Sequence, residues 1–204
     1  MRRMIVPALV AALALTGCSG GPSKTTDKNA QPGTTPAAAT FALDDSRDAG
    51  APTLTVQKGM CGKFDIVRLV AMYPKIEPDA SNYEDGFASC TLRYAQGEPE
   101  RLSMWIDISD KTSARLARFN VRGTFLESGE KGETAETLED FPGVAYLVTT
   151  VKNKTLTYRV SAQAGNLVVD MHFFLESDAP AQPNATVRAA AIDAAKGTVT
   201  RLLA

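Results

Sequence analysis

The sequence predicts an α+β domain, a single largely antiparallel sheet of five strands or more packed by about three helices. Two observations carry this expectation. Apolar residues alternate with polar ones through several stretches between residues 87 and 175, as half-buried strands do, whereas the stretches flanking and interrupting them carry helical spacing. The joints between the later strands are short and hold Asn or Gly, which suits antiparallel hairpins.

In chain order, residues 62–73 read as a helix. Phe64, Val67 and Ala71 form its apolar face, Ile66, Leu69 and Val70 broaden it, and Pro74 stops it. Residues 73–86, with prolines at 74 and 78, read as a polar loop. Residues 87–95 alternate as a strand, with Ala88, Cys90, Leu92 and Tyr94 on one side. Gln96-Gly97-Glu98-Pro99-Glu100 reads as the hairpin loop into a second strand, 101–109, where Leu102, Met104, Ile106 and Ile108 share a face.

Asp110 is a good cap for a helix through Arg122, with Leu116 and Phe119 as its main contacts and Gly123 to close it. Residues 124–140 carry Glu127, Glu130, Glu133, Glu136, Glu139 and Asp140 against Lys131. They read as a solvated acidic excursion rather than a cation or partner-docking loop, because calcium sites need carboxylates at tighter offsets. Three strands follow. The first, 143–151, is apolar on both faces; Asn153-Lys154 turns into Leu156, Tyr158, Val160 and Ala162; Gly165-Asn166 turns into Leu167, Val169, Met171, Phe173 and Leu175. Asn184 caps a final helix to about Leu202, whose narrow Ala-rich face includes Val187, Ala191, Ala194 and Thr198.

The amino terminus has a different composition. Arg2 and Arg3 precede an apolar run from Met4 to Leu15, the length of a signal-peptide core and short for a bilayer span. Leu15-Thr16-Gly17-Cys18 then matches the lipobox of bacterial lipoproteins, so residues 1–17 read as a signal peptide and Cys18 as the lipidated residue. A diacyl group there anchors the chain firmly. Residues 19–52 are dominated by Gly, Pro, Thr, Ala, Ser and Asp and read as a flexible tether, leaving 53–204 as one domain. Loss of Arg2 and Arg3 takes the formal charge from −1 to −3, which argues against a nucleic-acid partner.

Cys61 and Cys90 are the remaining cysteines, an even pair in an oxidising compartment. A disulfide closing a loop of about 30 residues is worth roughly 3–4 kcal/mol. The alternatives, a metal site or a redox pair, are less favoured, because there is no CxxC spacing and His172 is the lone histidine. No metal or other cofactor is expected.

Catalytic signals are weak. HExxH and a phosphate-cradling glycine loop are missing from the sequence, and no serine nucleophile stands out. Asp170 and His172 share the side of their strand opposite its apolar face and could act as base and acid, but that spacing is ordinary for a strand. Asp107 and Asp110 invite a paired-carboxylate reading, weakened by the use of Asp110 as a cap. Trp105 and Phe174 also lie opposite the core faces of their strands. They suit either a ligand groove or packing beneath a helix, and packing is favoured because several helices need that surface.

The lipobox, the low-complexity tether, Cys61 just before a helix, and Gly86-Phe87-Ala88-Ser89-Cys90 opening the first hairpin resemble small secreted lipoproteins of actinobacteria that carry a domain of unknown function. The likeness covers roughly residues 53–204 and implies a PsbP-like α/β sandwich with no catalytic residues to carry over. It departs at Gly59-Met60-Cys61, where Asp-Pro-Cys is common, and at Leu92, where a tryptophan is common.

The expected function is a noncatalytic binding or accessory module on the outer face of the cytoplasmic membrane, or on the outer membrane in a Gram-negative host. Its partner would be an envelope protein, a lipid or a cell-wall component. A lipid or small-ligand carrier is the runner-up and needs a cavity between sheet and helices. An enzyme comes third and needs polar groups converging around Asp107, Asp170 or His172.

Overall fold

The computed structural model describes residues 50–204 apart from 75, 95–99 and 132. The signal peptide, Cys18, the tether before Gly50 and most of the first hairpin loop lie outside the described residues. The fold is mixed α+β, with a seven-stranded antiparallel sheet packed by three helices.

The strands are β1 (Ile76–Glu84), β2 (Phe87–Tyr94), β3 (Glu100–Asp110), β4 (Thr134–Thr137), β5 (Ala145–Lys152), β6 (Thr155–Ala164) and β7 (Leu167–Ser177). Their order across the sheet is β1-β2-β3-β7-β6-β5-β4. Two meanders therefore meet where β3 pairs with β7. The helices are α1 (Val67–Met72), α2 (Ala114–Glu130) and α3 (Ala185–Leu203). Among the described residues, no helix is long and apolar enough to cross a membrane.

The alternating apolar residues of β2, β3, β6 and β7 face one way and form the core under α1 and α3. Leu102, Met104, Ile106, Ile108, Val160 and Met171 are fully buried there. Asn184 starts α3 as a cap, its Oδ1 accepting from the Thr186 and Val187 amides. Ala190, Ala191, Ala194 and Ala195 bring the helix close to the sheet. Tyr158, 1% exposed, rises from β6 to meet the helix start: its hydroxyl accepts from the Asn184 N–H at 2.8 Å and donates to the Asn184 carbonyl at 3.0 Å.

The predicted helix over 62–73 is broken. A 3-10 turn occupies Met60–Lys63, and α1 begins only at Val67. Between them α3 takes over the backbone bonding. The Asp65 amide donates to Thr198 Oγ1 at 3.0 Å, and Arg201 donates to the Phe64 carbonyl at 2.9 Å while pairing with Asp65 at 3.1 Å. Phe64 and Leu69 are buried as expected, but Val67 is 69% exposed. Cys61 in the 3-10 turn and Cys90 on β2 stand in disulfide geometry with Cα atoms 5.9 Å apart.

The expected loop over 73–86 instead holds β1, an edge strand paired with β2. The register shifts between Pro78 and Ala80, and an edge position with a bulge is where a strand accommodates proline. Asp110 caps no helix. It ends β3, its amide donating to the Gly86 carbonyl at 3.0 Å, and Ser113 caps α2 instead, with Oγ accepting from the Leu116 amide.

Helix α2 also runs through Gly123 to Glu130, so it absorbs the front of the expected acidic excursion, and β4 takes part of the rest. Its buried residues are Ala117, Val121 and Ser128. The predicted contacts Leu116 and Phe119 point outward, 41% and 63% exposed. Small Ala117 lies beneath the helix, and Leu116 and Phe119 are left on its outer side.

Candidate binding face

The second face of the sheet is only partly covered. Helix α2 packs against β4, β5, β6 and β7. Phe125 stacks on Tyr146 with ring centres 4.4 Å apart, and Gln163 donates to the Ala114 carbonyl at 2.9 Å. Burial pushes the Tyr146 hydroxyl above its ordinary pKa, with Arg122 acting in the opposite direction.

Beyond this helix, among the described residues, the β3 side of the face is open. Trp105, expected beneath a helix, is 46% exposed. Strand register builds the surroundings. Trp105 pairs with Thr91 on β2 and with His172 on β7, and His172 pairs in turn with Arg159 on β6. One rung along, Asp107 pairs with Ser89 and Asp170. On the other side, Ser103 pairs with Arg93 and Phe174.

The indole is held in place. Its Nε1–H lies 2.8 Å from Ser89 Oγ and 2.9 Å from Asp107 Oδ1. His172 lies 5.9 Å from the indole centre, tilted by 34°, and Phe174 lies 5.9 Å from His172, almost parallel at 14°. Trp105, His172 and Phe174 thus make an aromatic row across β3 and β7. Arg159 reaches Asp170 Oδ1 at 3.2 Å and Thr124 Oγ1 at 3.5 Å, linking the row to the underside of α2.

His172 is held below the ordinary histidine pKa. Burial is the largest cause and the Arg159 charge adds to it, while Asp170 and Asp107 pull the other way. The ring is therefore neutral at pH 7 and stacks as an aromatic with one donor and one acceptor nitrogen.

The sheet unites residues that the sequence offers singly. Asp107, Asp170, His172, Trp105 and Phe174 come together on one face, whereas Asp110 is separate, packed against Gly86. The two carboxylates are directly opposed, but Asp107 accepts from Trp105 and Asp170 is paired with Arg159. Arg159 and Ser89 were readable in advance only as polar positions of alternating strands. Their role depends on which strands are neighbours, and that information is not local. Among the described residues, no group of three or more His, Cys, Asp or Glu side chains gathers to hold a metal.

Clefts lie elsewhere on the surface. One of about 440 Å³ is lined by Pro52, Arg118, Phe141, Gln163 and Gly165 among others. Another, of about 260 Å³, lies beside Cys61, Phe64 and Cys90. No family model, curated protein or solved structure matches the chain.

Proposed function

We propose that this chain is a noncatalytic, lipid-anchored envelope protein whose Trp105 face binds a partner in the envelope. Cys18 would carry the lipid and residues 19–52 would span the gap to the domain on the outer face of the cytoplasmic membrane. In this reading the domain is a PsbP-like α/β sandwich of the kind found in small actinobacterial lipoproteins, and the Cys61–Cys90 pair suits an oxidising compartment.

The observation that carries the proposal is Trp105: a large aromatic side chain, 46% exposed, yet fixed through an N–H shared between Ser89 and Asp107, in a row with two further rings. Exposed aromatic area of this kind favours association, and a ring already fixed loses little side-chain entropy on binding. A carrier would need space between the sheet and α3. Met104, Tyr158, Met171 and Phe173 occupy that region, none more than 1% exposed.

The test has two arms. Wild type should partition into detergent and carry an acylated Cys18, and Cys18→Ser should do neither. With the anchor removed by Cys18→Ser, the domain should still co-sediment with isolated envelope fragments, and adding Trp105→Ala should abolish that binding while keeping thermal stability. Unacylated wild type would remove the anchor from the reading, and undiminished sedimentation of Trp105→Ala would remove the binding face.

A further inference from the structure

We propose that the open face binds a neutral sugar chain, with a pyranose ring stacked on Trp105 and its hydroxyls bonded to Asp107 and Asp170. This rests on the reading of that face as the binding surface, and it names the class of ligand.

A sugar ring has an apolar face of C–H bonds and a polar rim. The Trp105 N–H is already engaged by Ser89 and Asp107, so ring carbon is what the indole offers to solvent. The neutral imidazole of His172 and the Phe174 ring continue the apolar surface at 5.9 Å steps. Hydroxyls and carboxylates border it: Ser89 and Asp107 beside the indole, Asp170 across the rung, and Thr91 and Ser103 on the neighbouring positions. These groups can accept from and donate to a ring of hydroxyls.

Charge narrows the class. Asp107 and Asp170 are balanced on this face by Arg93 and Arg159, so a polyanion such as a phosphate-bearing polymer gains no net attraction. A lipid chain would have to lie across carboxylates, which is unfavourable.

Trp105 is the only tryptophan of the 204 residues, so intrinsic fluorescence reports on this site alone. The experiment titrates the full-length protein in detergent with three neutral probes at up to millimolar concentration. These are tetramers of β-1,4-linked N-acetylglucosamine, of α-1,4-linked glucose and of α-1,6-linked mannose. At least one should give a saturable change in emission. Calorimetry with that probe should show binding weakened about tenfold or more in Trp105→Ala and in Phe174→Ala, with Trp105→Phe retaining most of it. Silence from all three probes, with envelope binding still dependent on Trp105, overturns the sugar assignment and leaves the binding face standing. An undiminished affinity in Trp105→Ala also overturns it, by moving the sugar elsewhere. Envelope binding that ignores Trp105 sinks the face itself.

Discussion

The Tyr158 hydroxyl and the backbone of Asn184 bond each other in both directions, at 2.8 Å and 3.0 Å, at the first turn of α3. Tyr158→Phe keeps the ring and removes both bonds, taking the acceptor from the part-buried Asn184 amide, while the Asn184 carbonyl still accepts from the Arg188 amide. It should lower the unfolding free energy by about 1–3 kcal/mol in a urea titration. Asn184→Ala removes the cap of the same helix and should cost about 0.5–2 kcal/mol.

Gly197 lets α3 pass the segment between the 3-10 turn and α1. A Cβ there would collide with the Asp65 side chain, which Arg201 holds at 3.1 Å. Gly197→Ala should therefore destabilise by about 1–3 kcal/mol, although alanine ordinarily favours a helix. A stabilised variant in a thermal melt would show that Asp65 moves aside freely.

His172 gives stability a pH dependence of known sign. Its pKa is lower folded than unfolded, so between the two values the unfolded chain binds more protons. Its contribution is whole above the unfolded value of about 6.5 and is lost as pH falls through the depressed folded value. The melting temperature of the wild type should fall more between about pH 7.5 and pH 5 than that of His172→Gln. Parallel profiles would mean that the ring is solvated.

Joining Cys61 to Cys90 closes a segment with a sequence separation of 29. Reduction, or the Cys61→Ser and Cys90→Ser double variant, should cost roughly 3–4 kcal/mol in denaturant.

Helix α2 separates two readings of its own sequence. Phe119→Ser, at a position 63% exposed, should change stability by no more than about 0.5 kcal/mol, whereas Val121→Ala, fully buried, should cost about 1–3 kcal/mol. The reverse ranking in urea titrations would restore Phe119 as the core contact.

That helix also marks where sequence stopped being informative. Size and hydrophobicity point to Leu116 and Phe119, but the close approach of a helix to a sheet selects Ala117 and Val121. Strands β3, β6 and β7 were legible because a single period runs through Leu102 to Ile108, Leu156 to Ala162 and Leu167 to Leu175. Strand β1 was hidden by Pro78 and by exposed residues, since an edge strand owes its pairing to a neighbour. The same limit held for the binding face. Trp105, Asp107, Asp170 and His172 were each visible as outward positions, but only the pairing of β3 with β7 makes them neighbours.

That pairing also fixes when the sheet can be finished. Strand β7 is the last to leave the ribosome, yet it lies between β3 and β6 and hydrogen-bonds to both. Until Leu167–Ser177 is available, each meander keeps an unpaired inner edge, with Leu102, Met104 and Ile106 on one and Tyr158 and Val160 on the other. Such edges invite pairing with other chains. Completion of the sheet thus waits on β7, and a chain interrupted before it would be an aggregation hazard rather than a smaller working domain.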